Sequence, residues 1–198
     1  MDGILDRDSR EAVCTRRGLR NCLEILMAPL LYYFGDLTVE ILPNAISMML
    51  GHRQRRFYSW ESGGQMFAKL SSNHWRIVAA TGPRSGDRRG RFHFWPDRRA
   101  EQDEINRFYD QGLEFVGDWH THPEDAPRPS RNDIDSVDNI VRESVHNLSG
   151  ILMCIVGRND PPYGLWLSFH SSGGGMLEPR DESGVSANRR QRRKVIWI

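Results

Sequence analysis

Two histidines one residue apart, His120 and His122, followed by Ser130 and Asp133, are the side chains whose types and spacing point to chemistry. Residues two apart on a strand face the same side. The run Phe115-Val-Gly-Asp-Trp-His-Thr-His, read as a strand, therefore presents two imidazoles to one point. Asp133, ten intervening residues beyond His122, offers a carboxylate as third ligand. Zn²⁺ takes imidazole nitrogen at roughly 2.0–2.1 Å and carboxylate oxygen at roughly 2.0–2.2 Å; three protein ligands leave a fourth position for water, as in catalytic sites. Taken singly, Ser130-Arg-Asn-Asp133 also reads as a helix start, with Ser130 capping and Asp133 at the positive end of the dipole. The capping and ligating roles are compatible. A metal-activated water needs a base to take and deliver protons. Glu61 is the candidate, in Glu61-Ser-Gly-Gly-Gln, whose glycines permit tight backbone geometry just before a strand. By itself Glu61 reads as an exposed turn carboxylate.

The elements that must position these groups follow from periodicity and turn residues. Residues 37–42 read as a strand, and Pro43-Asn44 opens a helix with Ala45, Ile46, Met49 and Leu50 as its apolar stripe. Residues 65–70 and 75–81 form a hairpin around Ser71-Ser-Asn73. A charged loop at 82–91 leads to a strand-like aromatic run at 92–95 and a helix over 98–112. The metal-ligand strand spans 114–121, and a proline-rich loop precedes a helix over 132–145 that turns Ile134, Val137, Ile140 and Val141 inward. Two last strands, 151–157 and 164–169, flank an Asn-Asp-Pro-Pro turn. Residues 1–35 read as an N-terminal extension, in which 23–31 is either an amphipathic helix or poorly ordered and Met27 is a conceivable alternative start. Residues 171–198 read as a flexible C-terminal tail, Gly-rich, then acidic, then basic at 189–194, with an apolar end that docks on the domain or a partner, or is simply solvated.

A chain of 198 residues, 38% hydrophobic and 27% charged, suits one core with appended ends. A net charge of +1 argues against a surface organised around nucleic-acid phosphate, so the expected partner is a protein or a small molecule. Cys14, Cys22 and Cys154 are widely spaced and form no C-x-x-C pair, as expected of reduced thiols in the cytoplasm. No apolar run approaches the roughly 20 residues of a membrane span. The acidic start (Asp2, Asp6, Asp8, Glu11) differs from a secretory signal, so the expected location is cytoplasmic.

Glu61-x-Gly-Gly together with His120-x-His122, seven residues, Ser130-x-x-Asp133 resembles the JAB/MPN+ (JAMM) metalloprotease family over about residues 36–170. The resemblance implies a single α/β domain, cytidine-deaminase-like, with a curved mixed β-sheet flanked by helices. It implies Zn²⁺ held by His120, His122 and Asp133, Glu61 as the proton shuttle and Ser130 steadying the oxyanion. Asp118, on the strand face of the histidines, reads either as a carboxylate orienting an imidazole or as a surface group. Gly82-Pro-Arg, Asp87-x-Arg89, the aromatic run from Phe92 to Asp97, Gln102-x-Glu104-Ile105 and the motif strand are most similar to the compact prokaryotic JAB isopeptidases of type II CBASS anti-phage operons. The implied substrate is a ubiquitin-like conjugate in which the C-terminus of a cGAS-like nucleotidyltransferase is joined to a target amine. Its tail would lie along a sheet edge. The alternatives are a peptidase of a ubiquitin-like sulfur carrier, a non-catalytic binding module, and a nucleic-acid-associated factor, the last supported only by the basic segments at 84–91 and 189–194. Trp60, Trp95 and Trp119 lie near the motifs, and such aromatics are more often core than substrate contacts.

Overall fold

The computed structural model describes residues 28–144 and 146–180. The readings of residues 1–27 and 181–198, the basic run at 189–194 included, fall outside these. Among the described residues, ten strands and three helices follow in order: β1 Leu30–Phe34, β2 Leu37–Ile41, α1 Pro43–Leu50, β3 Gly63–Ser71, β4 His74–Ala80, β5 Arg88–Arg89, β6 Phe94–Trp95, α2 Arg98–Tyr109, β7 Glu114–Thr121, α3 Arg131–Glu143, β8 Gly150–Val156, β9 Leu165–Ser171 and β10 Met176–Leu177. Eight of the strands make one sheet in the order β1-β2-β4-β3-β7-β8-β9-β10. The β2/β4 and β7/β8 pairs are parallel and the others antiparallel. Past β10, Arg180 exchanges backbone hydrogen bonds with Tyr33 of β1 (3.2 and 2.8 Å), so the sheet curls until its two edges nearly meet. This is the curved mixed sheet with flanking helices that the family resemblance implies.

Each face of the sheet has its own core. One is filled by Ala45, Ile46, Met49 and Leu50 of α1 with Val39, Ile41, Met66, Ile77, Trp119 and Leu167. The other seats Val137 of α3 over Ile151, Met153, Ile155 and Trp166. Buried on both sides, β8 reads as an unbroken apolar run. On the second face Phe67 of β3 stacks on Phe108 of α2 at 4.1 Å.

Strand β1 lies in the stretch assigned from the sequence to the N-terminal extension, and Leu30 and Leu31 are extended rather than helical. The cause is local. Leu-Leu-Tyr-Tyr-Phe alternates, with Tyr32 and Phe34 buried, and Gly35-Asp36 closes a two-residue hairpin in which Phe34 faces Leu37. Gly35 adopts φ 61°, the conformation such a turn demands of its first central residue. Within the stretch assigned to the C-terminal tail, β10 adds to the sheet beside β9.

Candidate metal centre

A bulge sets the direction of the histidines. Val116 has no partner between the Met66/Gly117 and Phe67/Phe115 pairs of β3 and β7. An extra residue shifts strand parity. Val116 and Trp119 consequently both enter the α1-side core, while Asp118 and His120 face the opposite side, into a cleft of about 490 Å³. Gly117 sits at φ 151° with the Leu152 carbonyl oxygen 1.9 Å from where a Cβ would be, so no side chain fits at the bulge.

At the end of β7 and the start of α3, Nε2 of His120 lies 3.1 Å from Nε2 of His122. Asp133 Oδ1 is 3.3 Å from the first and Oδ2 is 3.4 Å from the second. Ligand atoms held about 2.0–2.1 Å from a common tetrahedral centre stand about 3.3 Å apart. These separations, the last two made by different oxygens of the one carboxylate, are near that spacing, and the donors, two imidazoles and a carboxylate, are those zinc favours. Ser130 caps α3. Its Oγ accepts from the backbone N–H of Asp133 (3.2 Å), and its own N–H donates to Asp133 Oδ2 (2.6 Å). Capping and ligand placement thus coexist in one turn, and the Ser130 hydroxyl proton remains free to donate into the cleft. Burial works against charge on Asp133, but hydrogen bonds from His120 and His122 prevail and hold its carboxyl well below the usual range. Burial likewise opposes charge on His122, yet Asp133 and Glu61 raise its pKa on balance.

Glu61 joins this group across the sheet. Gly63 of β3 pairs with His120 of β7, and Thr121 N–H donates to Ser62 O (2.8 Å), which carries Glu61 up to the level of His122. A Cβ on Gly63 would lie 2.6 Å from the Phe94 ring, and one on Gly64 would lie 1.8 Å from the Thr81 carbonyl oxygen. The paired glycines are therefore required by close backbone approach. Contrary to the exposed-turn reading, Glu61 is only 7% exposed. Burial pushes its carboxyl up to about 7, with His122 pulling it down and Asp133 pushing it up.

Several supporting residues carried no sequence signal. Thr121, on the face of β7 opposite the histidines, accepts at Oγ1 from Ser62 N–H (3.0 Å) and donates to Gln54 Oε1 (3.3 Å). Arg89 Nε donates to the Glu61 carbonyl (2.6 Å), and the same guanidinium reaches Ser62 Oγ. These bonds hold the Glu61 segment against β7. Asp118 departs from the imidazole-orienting expectation: it is partly buried in the cleft, and among the described residues its Oδ1 has no hydrogen-bond partner, an imidazole included. Burial and then Glu101 push it up to about 7, against the pull of Arg98 and Arg84. Of the three tryptophans near the motifs, Trp119 is core and donates to Thr81 O (2.9 Å). Trp60 and Trp95 depart from the core expectation, being 61% and 56% exposed.

A family model described as prokaryotic homologs of the JAB domain matches residues 43–168. A protein of Vibrio cholerae named CD-NTase/cGAS isopeptidase is 32% identical over 64% of this chain and 80% of its own length. One of the same name from Escherichia coli is 33% identical over 63% of this chain and 80% of its own length. Among solved structures, that of a Desulfitobacterium hafniense protein covers 68% of this chain and 86% of its own, with TM-score 0.48 and 19% identity.

Proposed function

Because the chain belongs to the family of prokaryotic homologs of the JAB domain, we propose that it is a zinc-dependent isopeptidase, hydrolysing the amide between the C-terminal carboxylate of one protein and an amine of another. The observation that carries this reading is the convergence of His120, His122 and Asp133, the two Nε2 atoms 3.1 Å apart and 3.3 and 3.4 Å from separate Asp133 oxygens, in the same cleft as the buried Glu61. The names of the relatives supply the substrate class, a conjugate of a CD-NTase, that is, a cGAS-like nucleotidyltransferase. On this reading the protein acts in the cytoplasm as part of an anti-phage CBASS system.

Bound by His120, His122 and Asp133, zinc would polarise the scissile carbonyl and lower the pKa of a water toward about 7. Asp133, strongly acidic in this setting, stays anionic as a ligand. Glu61, raised to about 7, is matched to taking a proton from water and passing it to the leaving amine near neutrality. The Ser130 hydroxyl is placed to donate to the oxygen on which charge develops. Phe94 and the ring of Trp95 give the cleft apolar walls that favour a dry, strongly electrostatic site. A raised, buried Glu61 has no use in a purely structural module, which favours catalysis over a binding role.

The test is metal content together with cleavage of a peptide bearing a CD-NTase C-terminal sequence, joined through its carboxylate to a lysine ε-amine. Zinc near one per chain is expected, with cleavage abolished by chelation and reduced at least about 10²-fold by Glu61→Ala while zinc is retained. Zinc binding without cleavage would overturn the isopeptidase reading. Cleavage unaffected by Glu61→Ala would remove Glu61 from the reaction.

A further inference from the structure

The cleft opens onto a surface built from two loops, residues 51–62 before β3 and 82–97 before α2. They are stitched into one platform. Gln54, 2% exposed, donates to Ser59 O (3.1 Å) and Arg91 O (2.9 Å), and Glu61 N–H donates to Gly90 O (2.7 Å). On the platform stand Phe57, Tyr58, Trp60, Phe92 and Trp95, each more than half exposed. A soluble surface does not ordinarily gather so many large rings without a partner.

The arginines of the same loops divide into two kinds. Arg53, Arg84 and Arg89 are structural: Arg53 pairs with Asp160 (2.7 Å), Arg84 with Glu104 (2.6 Å), and Arg89 donates to the Glu61 carbonyl (2.6 Å). Arg55, Arg56, Arg88 and Arg91 are exposed and, among the described residues, make no ion pair. Three of them lie over the exposed rings: Arg56 over Tyr58 (5.8 Å), Arg88 over Trp95 (5.5 Å) and Arg91 over Phe92 (5.0 Å). Trp, Tyr and Arg are the residues that dominate binding energy at protein interfaces, and an unpaired guanidinium offers a planar fork fitted to a carboxylate.

We propose that this arginine-aromatic surface is the docking site for the folded body of the protein substrate, which meets it with apolar side chains ringed by carboxylates while its tail occupies the cleft. This rests on the isopeptidase reading. A protein is favoured over nucleic acid because Phe92 and Trp95 belong at once to this surface and to the wall of the cleft that holds Glu61. The surface is thereby continuous with a site for amide chemistry.

Two substrates separate docking from catalysis: full-length CD-NTase joined through its C-terminus to a lysine ε-amine, and the same linkage on a peptide of its C-terminal residues alone. The double variant Arg56→Glu/Arg91→Glu is compared with the unaltered protein on both. Docking predicts that the variant loses at least about tenfold in kcat/KM on the full-length conjugate, through KM, which corresponds to one well-placed contact. Its cleavage of the peptide conjugate is expected to be unchanged, which also reports an intact fold. Equal losses on the two substrates, or no loss on either, overturns the docking site and leaves the isopeptidase reading standing. Failure of the unaltered protein to cleave either substrate overturns both. Titration with a single-stranded oligonucleotide is the control for the other class of partner, and tight, salt-sensitive binding lost in the variant would reassign the surface and overturn the proposal.

Discussion

Ser130 illustrates how much one side chain does here. Its hydroxyl oxygen accepts from the Asp133 N–H while its backbone N–H donates to the Asp133 carboxylate, so the capping box that starts α3 also fixes the carboxylate toward the histidines. Ser130→Ala is expected to cost about 1 kcal/mol of stability through the lost cap. It should also lower kcat on the order of 10²-fold through the lost oxyanion donor. Denaturant unfolding reads the first effect and steady-state kinetics the second. A stability loss with unchanged kcat would leave Ser130 as a cap alone. Asp133→Ala removes a ligand as well as the box, and zinc stoichiometry is expected to fall well below one per chain, measured after dialysis. These roles are legible in the sequence because capping and strand alternation are local rules. The raised pKa of Glu61 is not, because it comes from burial supplied by residues far along the chain.

At the scale of elements, the position of α3 decides whether Asp133 meets the histidines. Besides its apolar stripe, the helix is tied to the sheet by a polar link from a half-exposed carboxylate to a buried imidazole. His170 of β9, 1% exposed, places Nδ1 2.8 Å from Asp138 Oδ1 and Nε2 3.2 Å from Ser168 Oγ. A carboxylate only accepts, so Nδ1 donates to Asp138. Asp138→Ala leaves the buried imidazole without its partner, and a destabilisation of about 1–3 kcal/mol is expected by chemical denaturation. Because Asp133 lies on the same helix, zinc affinity measured by competition with a chelator should weaken alongside. An unchanged affinity would show that the β7 and cap contacts suffice to place Asp133. Helix α3 was readable from its period of apolar residues and its start signal. Its tie to β9 was not, since nothing local in Trp-Leu-Ser-Phe-His announces which helix lies above.

For the whole molecule, the cost of keeping acids in the cleft sets a pH dependence. Asp118 titrates near 3.8 when unfolded and is pushed up to about 7 in the fold by burial and Glu101. Between those values the folded protein holds a proton that the unfolded chain has released, so stability falls as pH rises through that window. Asp118→Asn should flatten the decline and raise the thermal midpoint at pH 8 more than at pH 5. Equal midpoint shifts at the two pH values would refute it. On the zinc reading, bound metal would stabilise the fold by about 2.7 kcal/mol at a hundred times its dissociation constant.

The sequence by itself singled out His120, His122 and Asp133 as candidate ligands, the strand and helix that carry them and the hairpin that follows Glu61. Each depends on residue type and short-range period, which the chain states locally. Tertiary structure alone decided that Glu61 is buried rather than turned to solvent, that Asp118 is partly buried with its Oδ1 unpartnered among the described residues, and that Trp119 is core while Trp60 and Trp95 stand exposed. It also brought Arg180 back to Tyr33, joining stretches assigned to the two ends of the chain. Burial and pairing of this kind depend on which distant strands and loops become neighbours once the sheet curls, and no local pattern encodes that.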